Sequence, residues 1–265
     1  MCISVAPMPH RYKTLISGLP LVLALLVPVA TWAQAEATES GTDQAQAILD
    51  KADAVRFPAK SFELLVTVTT TSKTESPESH KYQVLSKGRE DTVILVTQPA
   101  SERGQIILMK GRDLWIFLPT VSQPVRLSLA QRLTGEVANG DLARTSFAGD
   151  YAPKLLRTEV VDGEPMYVLE LTAIDHSVAY HRVMLWVRKS NFWPAKAQFY
   201  SLSDRLLKSC TYENYREMAG RMRPTRLLLQ DALHPDEESV MDYTAIRTLE
   251  IPDKYFSKDY LKHLE

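Results

Sequence analysis

The sequence predicts a mainly β (α+β) protein, in which one large antiparallel sheet curls into a wide, half-open barrel under a few covering helices. Three observations carry this reading. From residue 61 onward side chains follow the two-residue period of strands, as where Tyr167, Leu169 and Leu171 alternate with Val168, Glu170 and Thr172. Gly88, Pro99, Gly104 and Gly111 interrupt the pattern at short spacing, as the turns of a meander do. Two runs, 106–109 and 114–118, are apolar throughout and read as strands wetted on neither face. About ten strands in one meander accumulate twist and curl rather than stay flat.

The N-terminus sets the compartment. Arg11 and Lys13 precede an apolar core over 15–30, and small residues follow at Ala33 and Ala35, the pattern of a cleavable signal peptide over 1–33. Pro20 and Pro28 interrupt the core, which is short for a spanning helix; an uncleaved anchor is the other reading. Cys2 lies far upstream of the core, so it is not the lipid-bearing cysteine of a lipoprotein signal. The expected product is exported and soluble. Residues 34–43 read as a flexible polar tether, and 44–265 as a single domain with no Gly/Ser-rich or Pro-rich linker to divide it.

After the tether a helix is expected, capped by Thr42 or Asp43, with Ala45, Ile48, Leu49, Ala52 and Val55 on one face and Phe57-Pro58 as its stop. Strands follow over 61–72, 81–86, 91–98, 104–110 and 113–118, with a hairpin loop over 74–79. A second set comes after Tyr151: the strand around 167–172, then 183–188, 195–201, 206–215, 222–231 and 240–250. In the strand from 195, Ala195, Ala197 and Phe199 should share the dry face. Phe256, Tyr260 and Leu264, spaced by four, mark a short closing helix that docks on the sheet or covers its edge.

Between the two sets, 119–152 is unusually long for a connection inside a compact domain, and only 129–133 looks helical. Val121, Leu127, Leu133, Val137, Leu142 and Phe147 make it too apolar for a disordered linker. It reads either as a lid packed over the sheet or as an ordinary crossover between the sheet's halves.

Composition and motifs exclude several function classes. A net charge of −1 with interspersed signs gives no case for nucleic acid or for a polybasic membrane contact. There is no Gly-x-Ser-x-Gly elbow, no His-Glu-x-x-His, no glycine-rich phosphate loop and no Cys-x-x-Cys. Cys210 alone remains after signal cleavage and reads as a small buried hydrophobe. His176 and His181, beside Asp175, read as surface histidines rather than metal ligands, and Ser146 and Asp150 have no histidine at a diagnostic distance. No catalytic residue, cofactor or metal is assigned. An exported β-protein with a greasy sheet and no catalytic constellation reads as one that holds a ligand.

Spaced anchors occur in one order: Pro99, Arg103-Gly104, an apolar strand, Asp113-Leu114-Trp115-Ile116-Phe117-Leu118-Pro119, then Ser146-Phe147 and Asp150-Tyr151. Tyr180-His181-Arg182 before Leu185-Trp186-Val187, Lys196 with Phe199-Tyr200, and Pro224 before a strand continue the series. In these anchors the chain resembles the outer-membrane lipoprotein-sorting family related to LolA and LolB, over roughly residues 45–261. It is especially similar to the LolA-like branch that accompanies inner-membrane transporters of the resistance-nodulation-division (RND) type. After Pro119 the run 120–125 is less basic than the family pattern, leaving Arg126 and Arg132 as candidates for basic contacts; Arg103, beside Gly104, reads as a turn residue.

The resemblance implies a monomeric periplasmic carrier with a LolA-like half-barrel, shielding the acyl chains of a lipoprotein or lipid in an apolar cavity on the way to the outer membrane. It also implies an RND-type transporter as partner. Candidate cavity residues are Met109, Trp115, Phe117, Met184, Trp186 and Phe199 from the strands, with Leu129 and Phe147 from the cover. Core packing is the alternative for each. A docking subunit of an export system, with a filled interior, is the alternative for the whole chain.

Overall fold

The computed structural model describes residues 30–73, 76–144 and 146–261. The expected signal peptide therefore lies outside the described residues except for its last four positions. The first helix, α1 (Ala30–Arg56), begins well upstream of the expected cap at Thr42 or Asp43. Residues 34–43, read as a tether, are helical. Ala30, Ala33, Ala35, Glu36 and Ala37 are strong helix formers, and together they carry the helix past Gly41. No described helix is long and apolar enough to cross a membrane.

The strands are β1 (Phe62–Thr71), β2 (Glu78–Lys87), β3 (Asp91–Gln98), β4 (Ile106–Lys110), β5 (Asp113–Phe117) and β6 (Val125–Leu127). After them come β7 (Arg132–Thr134), β8 (Val137–Ala138) and the short helix α2 (Asn139–Ala143). The second half holds β9 (Tyr151–Val161), β10 (Glu164–Ala173), β11 (Arg182–Arg188), β12 (Pro194–Tyr200), β13 (Leu206–Met218), β14 (Arg221–Asp231) and β15 (Glu238–Thr248). A 3-10 turn, Asp253–Phe256, follows.

Thirteen of these strands form one antiparallel sheet in the order β6-β5-β4-β3-β2-β1-β15-β14-β13-β12-β11-β10-β9. The chain thus makes two meanders, joined at the centre where the first strand pairs with the last, and β6 and β9 are the open edges. The sheet curls strongly. Arg112, in the β4–β5 turn, lies 2.8 Å from Asp175, just past β10, although nine strand spacings, roughly 40 Å in a flat sheet, separate β4 from β10. The curl is the expected one, and the sheet does not close.

Alternation along the strands sends one set of side chains to the concave face. Phe62, Leu64, Val66 and Val68 of β1, Leu169 and Leu171 of β10, and Leu227 and Leu229 of β14 join the main core there, under the α1 face made by Ala45, Ile48, Leu49 and Ala52. Arg223 is 2% exposed and caps this helix, donating from Nη1 to the carbonyls of Ala54 and Val55 at 3.0 and 3.1 Å. Burial pulls its guanidinium down to about 10.

Four expectations change. The strand β9 was not anticipated, because Pro153, Lys154, Arg157 and Glu159 break its apolar pattern; an edge strand tolerates such residues. Of the run 114–118, only Leu114 is buried: β5 is flanked by the three-residue β6 at the sheet edge, so Trp115, Ile116 and Phe117 stay partly exposed. The helix of the crossing segment is at 139–143 rather than 129–133, where Ser128 makes a single turn by accepting the N–H of Ala130 at 3.2 Å. A bulge between β11 and β12 pairs Trp186 with Lys196 but Val187 with Pro194, so Ala195 packs on the outer face while Ala197 and Phe199 keep the inner one.

The chain's end docks on the outer face of the sheet, one of the two placements expected. Phe256 and Leu261, 0% and 1% exposed, pack with Ile251 on Leu85, Val93, Ile106 and Leu108. This explains why the run 106–109 is dry on both faces: its even positions meet the C-terminal turn and its odd positions the concave core.

Candidate functional site

The segment from β6 to β9 connects the two open edges of the sheet, and it does so across the concave face. Leu129, Val137, Ala138, Leu142, Ala143, Phe147 and Ala148 all enter the main core. The two readings of this segment therefore coincide: it is the crossover, and it covers the sheet.

Polar contacts fix the cover at separate points. At the tip of the β7–β8 hairpin Gly135 takes φ +48°, and a Cβ there would fall 2.0 Å from Thr70 Oγ1 and 2.3 Å from Ser239 Oγ. Beside it Glu136 N–H donates to Ser239 Oγ at 2.9 Å. In α2, Asp141 accepts from Lys208 Nζ at 2.5 Å, from the Tyr180 hydroxyl at 2.9 Å and from Ala138 N–H at 2.8 Å. Burial, reinforced by Asp141, holds the Tyr180 hydroxyl well above its ordinary range. The Thr92 hydroxyl donates to the carbonyl of Ala143 at 2.9 Å.

The last latch joins the cover to α1. Asp53 Oδ2 accepts three hydrogen bonds at 2.8 Å, from Ser146 Oγ and from the backbone N–H groups of Phe147 and Ala148. Its Oδ1 accepts from Arg56 Nη1 at 3.0 Å. The Arg56 guanidinium lies over the Phe147 ring, 4.2 Å from its centroid.

Under the cover lies a cavity of about 40 Å³, walled by apolar groups such as Val178, Phe199, Leu227 and Met241 and by the polar side chains of Arg56, Asp141, Arg144 and Asp150. That volume is room for a few waters, far below the ~300 Å³ at which small-molecule pockets begin. In this conformation the lumen is nearly filled by its own side chains. Cys210, buried in its wall, has its thiol pushed up to about 12 by burial, as suits an inert hydrophobe.

The eight residues expected to line one cavity separate by face. Phe147 and Phe199 line the lumen, and Met109 and Leu129 belong to the same concave core. Trp115 and Phe117 lie instead on the outer face under the C-terminal turn, and Met184 and Trp186 in a second outer cluster with Met166 and Val168. The polar lumen residues that sequence reasoning missed include Arg56, Asp141, Arg144 and Tyr180; only burial in the fold distinguishes each from a surface residue. Arg126 pairs with Asp113 at the β5–β6 sheet edge and Arg132 reaches Glu136 within the cover hairpin, so both serve structure. Arg103 bonds the Thr97 carbonyl across its turn, as expected. His176 and His181 stack ring on ring at 6.1 Å, while Asp175 is taken by Arg112.

A crystal structure of a LolA superfamily protein from Nitrosomonas europaea is 58% identical to this chain, with a TM-score of 0.79, over 82% of this chain and 98% of that one. The chain belongs to the LolA superfamily. A DUF1329 family protein from Desulfovibrio piger shares the fold at a TM-score of 0.72 and 21% identity, over 83% and 99% of the two chains. So does a Vibrio parahaemolyticus domain named for outer-membrane lipoprotein sorting, at 0.70 and 19%, again over 83% and 99%. A family profile described as uncharacterized protein-like matches residues 88–263. No curated protein matches the sequence. Within the LolA-superfamily frame, the covered concave face is the candidate ligand site.

Proposed function

We propose that this LolA superfamily member is a periplasmic carrier that takes the acyl chains of a lipoprotein or lipid against its concave apolar face during transfer towards the outer membrane. One observation carries the reading: the apolar crossing segment lies beside α1 across the concave face and is held there by a small set of polar contacts, so displacing it exposes a greasy surface. Burying acyl methylenes there is worth about 0.8 kcal/mol each, enough for a long chain to hold the cover open. The closed form, with its lumen of about 40 Å³, is the unloaded state of such a carrier. The apolar core over 15–30 supports export, and the family resemblance supports an RND-type inner-membrane transporter as partner.

The same small lumen supports a second reading, in which the filled half-barrel is a docking subunit of an export system. Native and denaturing mass spectrometry on the mature protein, purified from its own envelope, separates the two. A hydrophobic molecule released on denaturation is the expected result and names the cargo class. A clean apo mass that persists after incubation with lipids sinks the carrier and leaves the docking subunit.

A further inference from the structure

Two buried guanidinium groups in the lumen lack the partners that buried donors require. Arg56 is 8% exposed; it donates from Nη1 to Asp53, and its Nε has no partner among the described residues. Arg144, at the end of α2, donates weakly from Nη1 to the Arg89 carbonyl at 3.3 Å, while its Nε and Nη2 have none. Asp150 forms an ion pair with Arg144, its Oδ2 3.3 Å from Nε, but outside hydrogen-bonding alignment, so the charge is countered while the donors stay unfilled. Both arginines line the same cavity, and the Phe147 ring beneath Arg56 is part of its wall. Buried polar groups are nearly always paired, and an arginine is the side chain least able to lose its charge instead.

The nearby carboxylates do not make up the deficit. Asp53 Oδ2 is filled by its three donors and Asp141 by Lys208, Tyr180 and Ala138. What the lumen has in surplus is N–H donors in the planar fork that matches oxyanions in pairs. An apolar chamber needs none of these to hold hydrocarbon. A lipoprotein's acylated end offers only ester and amide carbonyls, whereas a phosphate or carboxylate offers charged oxygens.

We propose that the lumen receives an acyl lipid bearing an oxyanion, phosphate or carboxylate, whose oxygens are taken by Arg56 and Arg144. The proposal rests on the carrier reading and narrows its cargo to an acidic lipid. The chains would lie against the apolar wall and the headgroup on the side of α2 and α1. A separate hollow of about 180 Å³, lined by Asp50, Asp53, Arg89 and Ser146, lies at the 146–148 latch.

The test is a binding series on the delipidated mature protein with four probes: phosphatidic acid, the matching free fatty acid, the matching diacylglycerol, and inorganic phosphate. The acidic lipids should bind about tenfold or more tighter than diacylglycerol, and inorganic phosphate weaker than either. Whichever acidic lipid is tighter identifies the oxyanion. In Arg144→Gln and Arg56→Gln that preference should fall to about twofold, with unchanged circular-dichroism spectra showing that the variants fold. Arg144 is the less embedded of the two, so its variant decides the matter where Arg56→Gln does not fold. Equal binding of diacylglycerol and acidic lipid, an undiminished preference in Arg144→Gln, or phosphate binding as tightly as the lipids would each overturn the proposal and leave the carrier standing. Binding of none of the lipids would overturn the carrier reading itself.

Discussion

The backbone N–H of Phe147 donates to Asp53 Oδ2 at 2.8 Å, tying the crossing segment to the N-terminal helix at a point where both are buried. The same oxygen takes Ser146 and Ala148, so one carboxylate satisfies three donors and pairs with Arg56 as well. Asp53→Ala should therefore cost about 3–5 kcal/mol, because it leaves a buried guanidinium and two backbone N–H groups without partners. Urea unfolding measures the loss. Amide exchange should show the release concentrated at 146–148; a uniform loss of protection would mean that the latch is not local.

Substitutions on the two faces of the sheet should separate. Phe199→Glu puts a charge into the lumen wall and should weaken acyl-lipid binding by at least about tenfold. Trp115→Glu, on the outer face beneath Lys258, should change it by less than about twofold. Displacement of a fluorescent fatty acid reads both, and loss of binding in the Trp115 variant with the fold intact would move the site to the outer face.

Asp150 carries a pH signature. Burial raises its pKa above the ordinary carboxylate range, only partly offset by Arg144. The folded state then holds the proton more tightly than the unfolded chain, so this residue's contribution is fully present below about pH 3.9 and is lost as pH rises through the folded value. Relative to Asp150→Asn, the wild-type protein should lose stability on going from about pH 4 upward and level off once Asp150 is ionised. Parallel curves for the two proteins across that window would show that the group does not titrate in the fold.

The C-terminal turn should behave as a structural staple. Phe256 is 0% exposed against Leu85, Val93 and Leu108, and Phe256→Ala should cost about 3–5 kcal/mol by the packing it removes. Thermal unfolding measures this. Lipid binding by the folded variant should be unchanged, since the contact is on the convex face.

The period-two alternation of Leu169 and Leu171 or of Ala197 and Phe199, with the turns at Gly88, Gly104 and Gly111, determined by itself that the chain is an antiparallel meander with a dry inner face, because side-chain direction in a strand is a local property. The α1 stripe of Ala45, Ile48, Leu49 and Ala52 was legible for the same reason. Strand β9 was not, since an edge strand needs no apolar pattern, and neither was the shift of Ala195, since a one-residue bulge leaves no mark in composition. Only the tertiary structure decided which aromatics face the lumen. Trp115 and Phe117 look no different in sequence from Phe147 and Phe199, yet the C-terminal turn makes a second core on the convex side that claims the first pair. Only the packing of α1 and the crossing segment over the curled sheet brings Arg56 and Arg144, 88 positions apart in the chain, into one chamber. Burial and the supply of hydrogen-bond partners depend on every strand around them, and no local pattern of residues encodes that sum.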